Sequence, residues 1–360
     1  MLMFSLALLG PLTLPQPLST DAVTLKTDYS GLKTLVIERT VDVKIETTAM
    51  EIEVDGEKRD TPGRGMGSTE FRLSQSRKDS FKAFADGKPS KLRRTFVEMG
   101  GTRVDPEDGE VDMEMPATVP QEGLVIDITV QEDGTQKIEV VEGKAPENPA
   151  FMERQPLTLA VDHLLPTEEL EVDGTYTIEA GDVRIALGEL FPPRAPRPEG
   201  MEAGGPRRER SVQDGRRRRM GGGFGGAGIG QFLASAEWEG EGKLVSLDKE
   251  YEGQSCAVIE LTIKADGELP EGQFGGGRQP RERAFFPPTG PLPVEGEIGI
   301  EWKGKLYFSL EHKAPVALQL EGHLNLENNT TREGRNGTMS MHMEQEGTLK
   351  LNCSFERIDD

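Results

Sequence analysis

The sequence predicts an all-β protein of long antiparallel strands in one or more curved sheets, a half-barrel or clamshell-like meander. Two short helices and disordered Gly/Pro/Arg-rich insertions complete the expectation. Three observations predict it. Apolar and polar residues alternate with a period of two through most of the chain. Asp-Gly and Glu-Gly pairs separate strand-length runs, and such pairs accept the positive φ that tight hairpins need. The 360 residues include 43 Gly and 24 Pro, too many for a helical bundle.

Met1 to Leu14 is almost wholly apolar, the length of a signal-peptide core, and residues 1–22 read as an export signal with a small residue, Ala22, at the cleavage point. A basic flank is absent, the first positive side chain being Lys26. Residues 28–191 read as an N-terminal β region. Val41, Val43, Ile45, Thr47 and Ala49 share one face, then Ile52 and Val54 continue on the other parity from Met50. A slip of phase inside an extended run marks a β-bulge. No turn residue interrupts 32–55, so one very long strand is expected. Hairpins follow at Asp86-Gly87, between 81–85 and 92–97, and at Asp133-Gly134, between 124–130 and 136–141. The two expected helices are 157–165, ending at Pro166, and 182–190, opened by Asp182 and stopped by Pro192-Pro193.

Residues 192–230 differ in kind. They hold nine Arg, no Lys, four acids, eleven Gly and five Pro, so they carry +5 while the rest of the chain carries −26. With little to bury, they read as a disordered linker. Residues 231–358 resume as a meander with a Gly/Pro insertion at 266–293. Its strands are expected at 237–250, 254–265, 294–311, 316–327 and 337–357, with turns at Glu252-Gly253, His312 to Pro315 and Asn328 to Gly337. A faint repeat links Glu237-Trp238-Glu239-Gly240 with Glu301-Trp302-Lys303-Gly304.

Little in the sequence carries chemistry. Two cysteines exclude a disulfide scaffold and a four-thiolate metal site; Cys256 and Cys353 read as separate buried thiols, with a bridge between facing strands as the alternative. There is no G-x-S-x-G, H-E-x-x-H or C-x-x-C, and none of the four His is singled out as a catalytic base. The G-x-G-x-x-G at Gly221, Gly223 and Gly226 lies in a glycine tract with no strand before it, so it is no dinucleotide site. The acids from Asp105 to Glu114 lack the register of a calcium loop. No cofactor and no metal are expected.

Two sets of residues could meet a partner. Met339, Met341 and Met343 fall on one strand face, about 6.5 Å apart at ~3.3 Å per residue, with His342 on the other. Thioethers suit Cu(I), but the displaced His342 argues instead for an apolar ligand face. Arg207, Arg208, Arg210, Arg216, Arg217, Arg218 and Arg219 could contact a polyanion. The −26 elsewhere repels nucleic acid, so none is expected as a partner.

Three stretches resemble exported β-rich bacterial proteins of the planctomycete type. They are Asp86 to Phe96, His163-Leu164-Leu165-Pro166 with Val172 to Tyr176, and Gly304 to Phe308 continuing to Pro315-Val316. That family has no assigned activity, so the resemblance implies a β-rich exported protein and transfers no catalytic residue. Taken together, the expected function is non-enzymatic and periplasmic or extracellular. The protein would bind an apolar small molecule or serve an envelope-structural role, with no transmembrane segment once the signal is removed. The alternative is a polyanion- or partner-binding module acting through the Arg-rich loop 194–219.

Overall fold

The computed structural model describes residues 22–59, 67–105, 109–112, 122–145, 155–188, 236–268, 294–334 and 337–358. The expected signal, the Arg-rich linker with its seven named arginines, and most of the second insertion lie outside them.

One mostly antiparallel, open sheet of thirteen strands makes up most of the described chain. Its strands are β1 (Thr34–Val54), β2 (Glu57–Arg59), β3 (Ser68–Ala85), β4 (Lys88–Asp105), β5 (Gly109–Asp112), β6 (Val125–Val130) and β7 (Gln136–Glu142). They continue with β8 (Thr175–Ile178), β9 (Glu237–Tyr251), β10 (Gln254–Glu268), β11 (Val294–Ser309), β12 (Ala314–Gly334) and β13 (Gly337–Ile358). The spatial order is β7-β6-β4-β3-β1-β13-β12-β11-β10-β9-β8, with β2 on β1 and β5 on β4. The first and last long strands therefore pair with each other, and the two β stretches of the sequence form one sheet.

The long strands follow from unbroken alternation. Along β1, Leu35, Ile37, Val41, Val43 and Ile45 are buried, as are Leu349, Leu351 and Cys353 on β13. The tight turns are where Asp-Gly and Glu-Gly pairs stand: Asp55-Gly56, Asp86-Gly87 and Glu252-Gly253 all have both residues at positive φ. The phase slip is a bulge between Thr47 and Ala49, two residues before Met50. It absorbs Thr48, so Met50, Ile52 and Val54 stay on the same face as Ile45.

The buried residues of this face form one cluster running from Ile126 through Val43, Leu351 and Leu324 to Trp302 and Leu244. A sheet this wide buries one face in a single core only by curling on itself. Residues 22–32 and 155–188 fill the hollow. Val23 bridges Leu170, Tyr29 packs edge-on against Phe81 at 5.6 Å, and α1 (Ala180–Gly188) buries Val183, Ala186 and Leu187. The repeated Trp motif places Trp238 and Trp302 in this core, stacked at 5.9 Å and nearly parallel. Gly322 makes room for them, since a Cβ there would lie 2.5 Å from Trp302.

Three details differ from the sequence expectation. Segment 157–165 forms only a 3₁₀ turn, Ala160–Leu164, with Ala160, Val161 and Leu164 buried. Helix α1 starts at Ala180, with Asp182 in its first turn. The expected turn from Asn328 to Gly337 is mostly strand, since cross-strand pairing with β13 carries β12 on to Gly334. Cys256 and Cys353 are both buried and form no disulfide. Cys256 is buried although it is out of step with Ile259 and Leu261, because register shifts around Val258 let both parities turn inward.

Candidate functional site

Met339, Met341 and Met343 stand on the inward face of β13, in line with buried Gln345, Leu349 and Leu351. Their partners on β1 are Val54, Ile52 and Met50. Six apolar side chains thus make a strip two strands wide. Exposure rises along it: Gln345 is 6% exposed, Met343 and Met341 are half-buried, and Met339 is 42% exposed. The flanks are polar. Asn328 and Thr330 of β12 border one side, and Glu57 and Arg59 of β2 border the other. His342 lies on the opposite face, bonded to Asn329 at 2.7 Å and to Glu344 at 3.2 Å.

The inner end of the strip is closed by amides and hydroxyls. Gln345 Nε2 donates to Thr47 Oγ1 at 3.1 Å, and Thr330 donates to Asn328 Oδ1 at 3.1 Å. Gln345 Oε1 is buried and has no hydrogen-bond partner. Turning the amide over would leave its NH₂ without one instead. Beside Gln345, at the same level on β12 and β11, stand buried Leu326 and Ile298.

The opposite face at the same end of the sheet is acidic. Glu268, Glu297, Glu327 and Glu344 stand directly across from one another on four adjacent strands. With Glu237, Asp266 and Glu346 they line an open depression of about 1180 Å³, with no Lys or Arg among the described residues that line it. Among the described residues no three His, Cys, Asp or Glu side chains converge as metal ligands.

The most buried polar cluster holds the filling of the hollow in place. Arg94 grips Asp79 with two bonds of 2.8 Å, and the same guanidinium donates to Gln155 at 3.1 Å and to the carbonyl of Pro156 at 2.9 Å. Burial pushes the Asp79 carboxyl up, but the charges of Arg94 and Arg77 and the Arg94 hydrogen bonds outweigh it and hold it below its ordinary value. Nearby, Tyr29 donates to Asp162 and accepts the Leu159 N–H at 2.6 Å, while Thr27 donates to Asp162 at 2.6 Å. Here burial outweighs the hydrogen bonds and raises Asp162. These groups are tied to one another and to backbone, in the manner of a structural latch.

The arginines named as polyanion contacts lie outside the described residues, and the geometry does not place them. The methionines were visible from their parity. Their partners on β1 were not, because that pairing spans almost the whole chain. Gln345 shares the parity of Met343, which could have drawn attention to it.

No family model matches the chain, and no curated protein matches it. Among solved structures it is similar to a lipovitellin described for its lipid–protein interactions, at 7% identity and a TM-score of 0.31, over 91% of this chain. The chain spans about a quarter of that protein's length, 26%. It is similar to the outer membrane protein OprG of Pseudomonas aeruginosa at 9% identity and a TM-score of 0.23, covering 93% of this chain and 99% of that one. OpdQ of the same organism gives 7% identity and a TM-score of 0.16, covering 92% and 99%. No helix among the described residues is long and apolar enough to cross a membrane.

Proposed function

We propose that this is a non-enzymatic, exported carrier that holds an apolar ligand against the inward strip of β1 and β13. The observation that carries the reading is an apolar surface, Met339, Met341 and Met343 facing Val54, Ile52 and Met50, that leads from solvent to the buried Gln345. Methionine suits such a surface because its flexible thioether adapts to alkyl shapes. The apolar Met1 to Leu14 supports export. The strip is bordered by polar residues on both sides, which favours one slender molecule over a broad membrane contact.

The test is binding of the uncharged fluorophore N-phenyl-1-naphthylamine to the full chain, with native mass spectrometry of protein taken from its source. Met341→Asn with Met343→Asn should weaken binding by about tenfold or more, since each side chain contributes roughly 1–2 kcal/mol when covered. Equal binding by the double variant, or a wild-type protein that takes up neither fluorophore nor lipid, would overturn the reading.

A further inference from the structure

We infer that the ligand is a long-chain molecule with an uncharged hydroxyl head, anchored by Gln345 at the inner end of the strip; this rests on the carrier reading above. The strip spans six residue steps from Gln345 to Met339, about 20 Å at ~3.3 Å per step. That is the reach of one extended long alkyl chain, and a width of two strands holds only one.

The head is set by the chemistry at the closed end. A buried polar atom with no partner is uncommon and costly, and Gln345 Oε1 is such an atom at 6% exposure. One N–H of its amide goes to Thr47, and the neighbouring Asn328 carbonyl accepts from Thr330, so the oxygen is the atom of Gln345 left without a partner. A hydroxyl fits because it donates to the oxygen and would equally accept from the amide in its other orientation.

Charge argues against the alternatives. Glu327, Glu344 and Glu346 stand on the reverse face of the same strands, and the chain as a whole carries −21. A carboxylate or phosphate head would be repelled. An ammonium head would have to lose its water for a single neutral amide, which does not compensate a buried charge.

Displacement of N-phenyl-1-naphthylamine by hexadecanol, hexadecane and hexadecanoate tests this on the full chain. Wild-type protein should prefer hexadecanol to hexadecane by about tenfold, the worth of one well-made hydrogen bond to a buried partner. Hexadecanoate should bind less well than the alcohol. Gln345→Leu, close in size, should erase the preference for alcohol over alkane. A wild-type protein that does not distinguish alcohol from alkane, or that prefers hexadecanoate, overturns the inference and leaves the carrier standing. A Gln345→Leu variant that keeps the preference also overturns it. Failure of all three to displace the fluorophore removes the carrier reading itself.

Discussion

Replacing Arg94 by Met isolates what ties the filling of the hollow to the sheet. The side chains of Arg94 and Asp79 are 1% and 2% exposed. Without Arg94 the Asp79 carboxylate stays buried with only Arg77, at 3.5 Å, as a counter-charge. Gln155 and the Pro156 carbonyl also lose the donor that connects their segment to β4. Removing one partner of a buried pair costs about 3–5 kcal/mol, and Arg77 places the expectation near the lower end. Urea unfolding followed by the fluorescence of Trp238 and Trp302 measures it. Asp79→Leu with Arg94→Met should cost less than Arg94→Met alone, because no charge is then left buried. The pH dependence has a definite sign. In wild type the Asp79 carboxyl is held low, so its contribution is present above about pH 4 and lost as pH falls through its folded value. In the variant, burial dominates and the folded carboxyl titrates above its unfolded value, so the deficit shrinks as the solution is acidified. A cost below about 1 kcal/mol at neutral pH, or a deficit that stays constant into acid, would refute the reasoning.

Tyr29→Phe removes the donor to Asp162 and the acceptor of the Leu159 N–H, and should cost about 1–3 kcal/mol in thermal or urea unfolding. Because Asp162 is raised by burial, that cost should fall in acid as the carboxyl protonates; a neutral substitution would contradict the latch. Gly322→Ala puts a Cβ 2.5 Å from the Trp302 ring, so the Trp238–Trp302 stack must shift. The expected cost is about 1–3 kcal/mol with an altered near-ultraviolet circular dichroism spectrum, and an unchanged spectrum would show the ring is not confined.

Most of the sheet was legible because its signal is local. Alternation marks β9, β10, β11 and β13 within a few residues, and Asp86-Gly87 and Glu252-Gly253 mark their own hairpins. What the sequence did not show depends on distant pairing. Nothing near Asn328 announces that β12 runs on to Gly334, since partners on β13 carry it past a turn-rich stretch. The turn at Ala160–Leu164 likewise packs against distant strands, with Val161 and Leu164 buried in the same core cluster as Val43 and Trp302. The Met face was readable from parity, whereas the strip was not, because Met50, Ile52 and Val54 lie some three hundred residues away in sequence. The Arg94–Asp79–Gln155 cluster had no sequence signature at all, since no pattern of spacing relates three single residues on separate segments.

The bulge in β1 explains why both halves of the strip agree, and it leads to a prediction that runs against intuition. Paired without a bulge, β1 would set Thr48 against Glu344, and every later residue would change face. Glu51 and Glu53 would then point inward at Met341 and Met339, destroying the apolar surface. The bulge leaves Thr48 as the extra residue and restores the phase, so Met50 meets Met343. If its role is only to absorb that residue, deleting Thr48 should straighten the strand while leaving every later pair intact. The loss is one hydrogen bond, from Thr48 Oγ1 to the Glu344 carbonyl at 3.3 Å on an exposed surface. Stability should change by no more than about 1 kcal/mol, and N-phenyl-1-naphthylamine should bind within about twofold of wild type. Deleting Thr47 as well removes an inward residue and throws the phase back, so Glu51 and Glu53 turn inward and binding should collapse. Equal loss of binding in the two deletions would mean that the bulge shapes the strip directly, and that the phase argument is wrong.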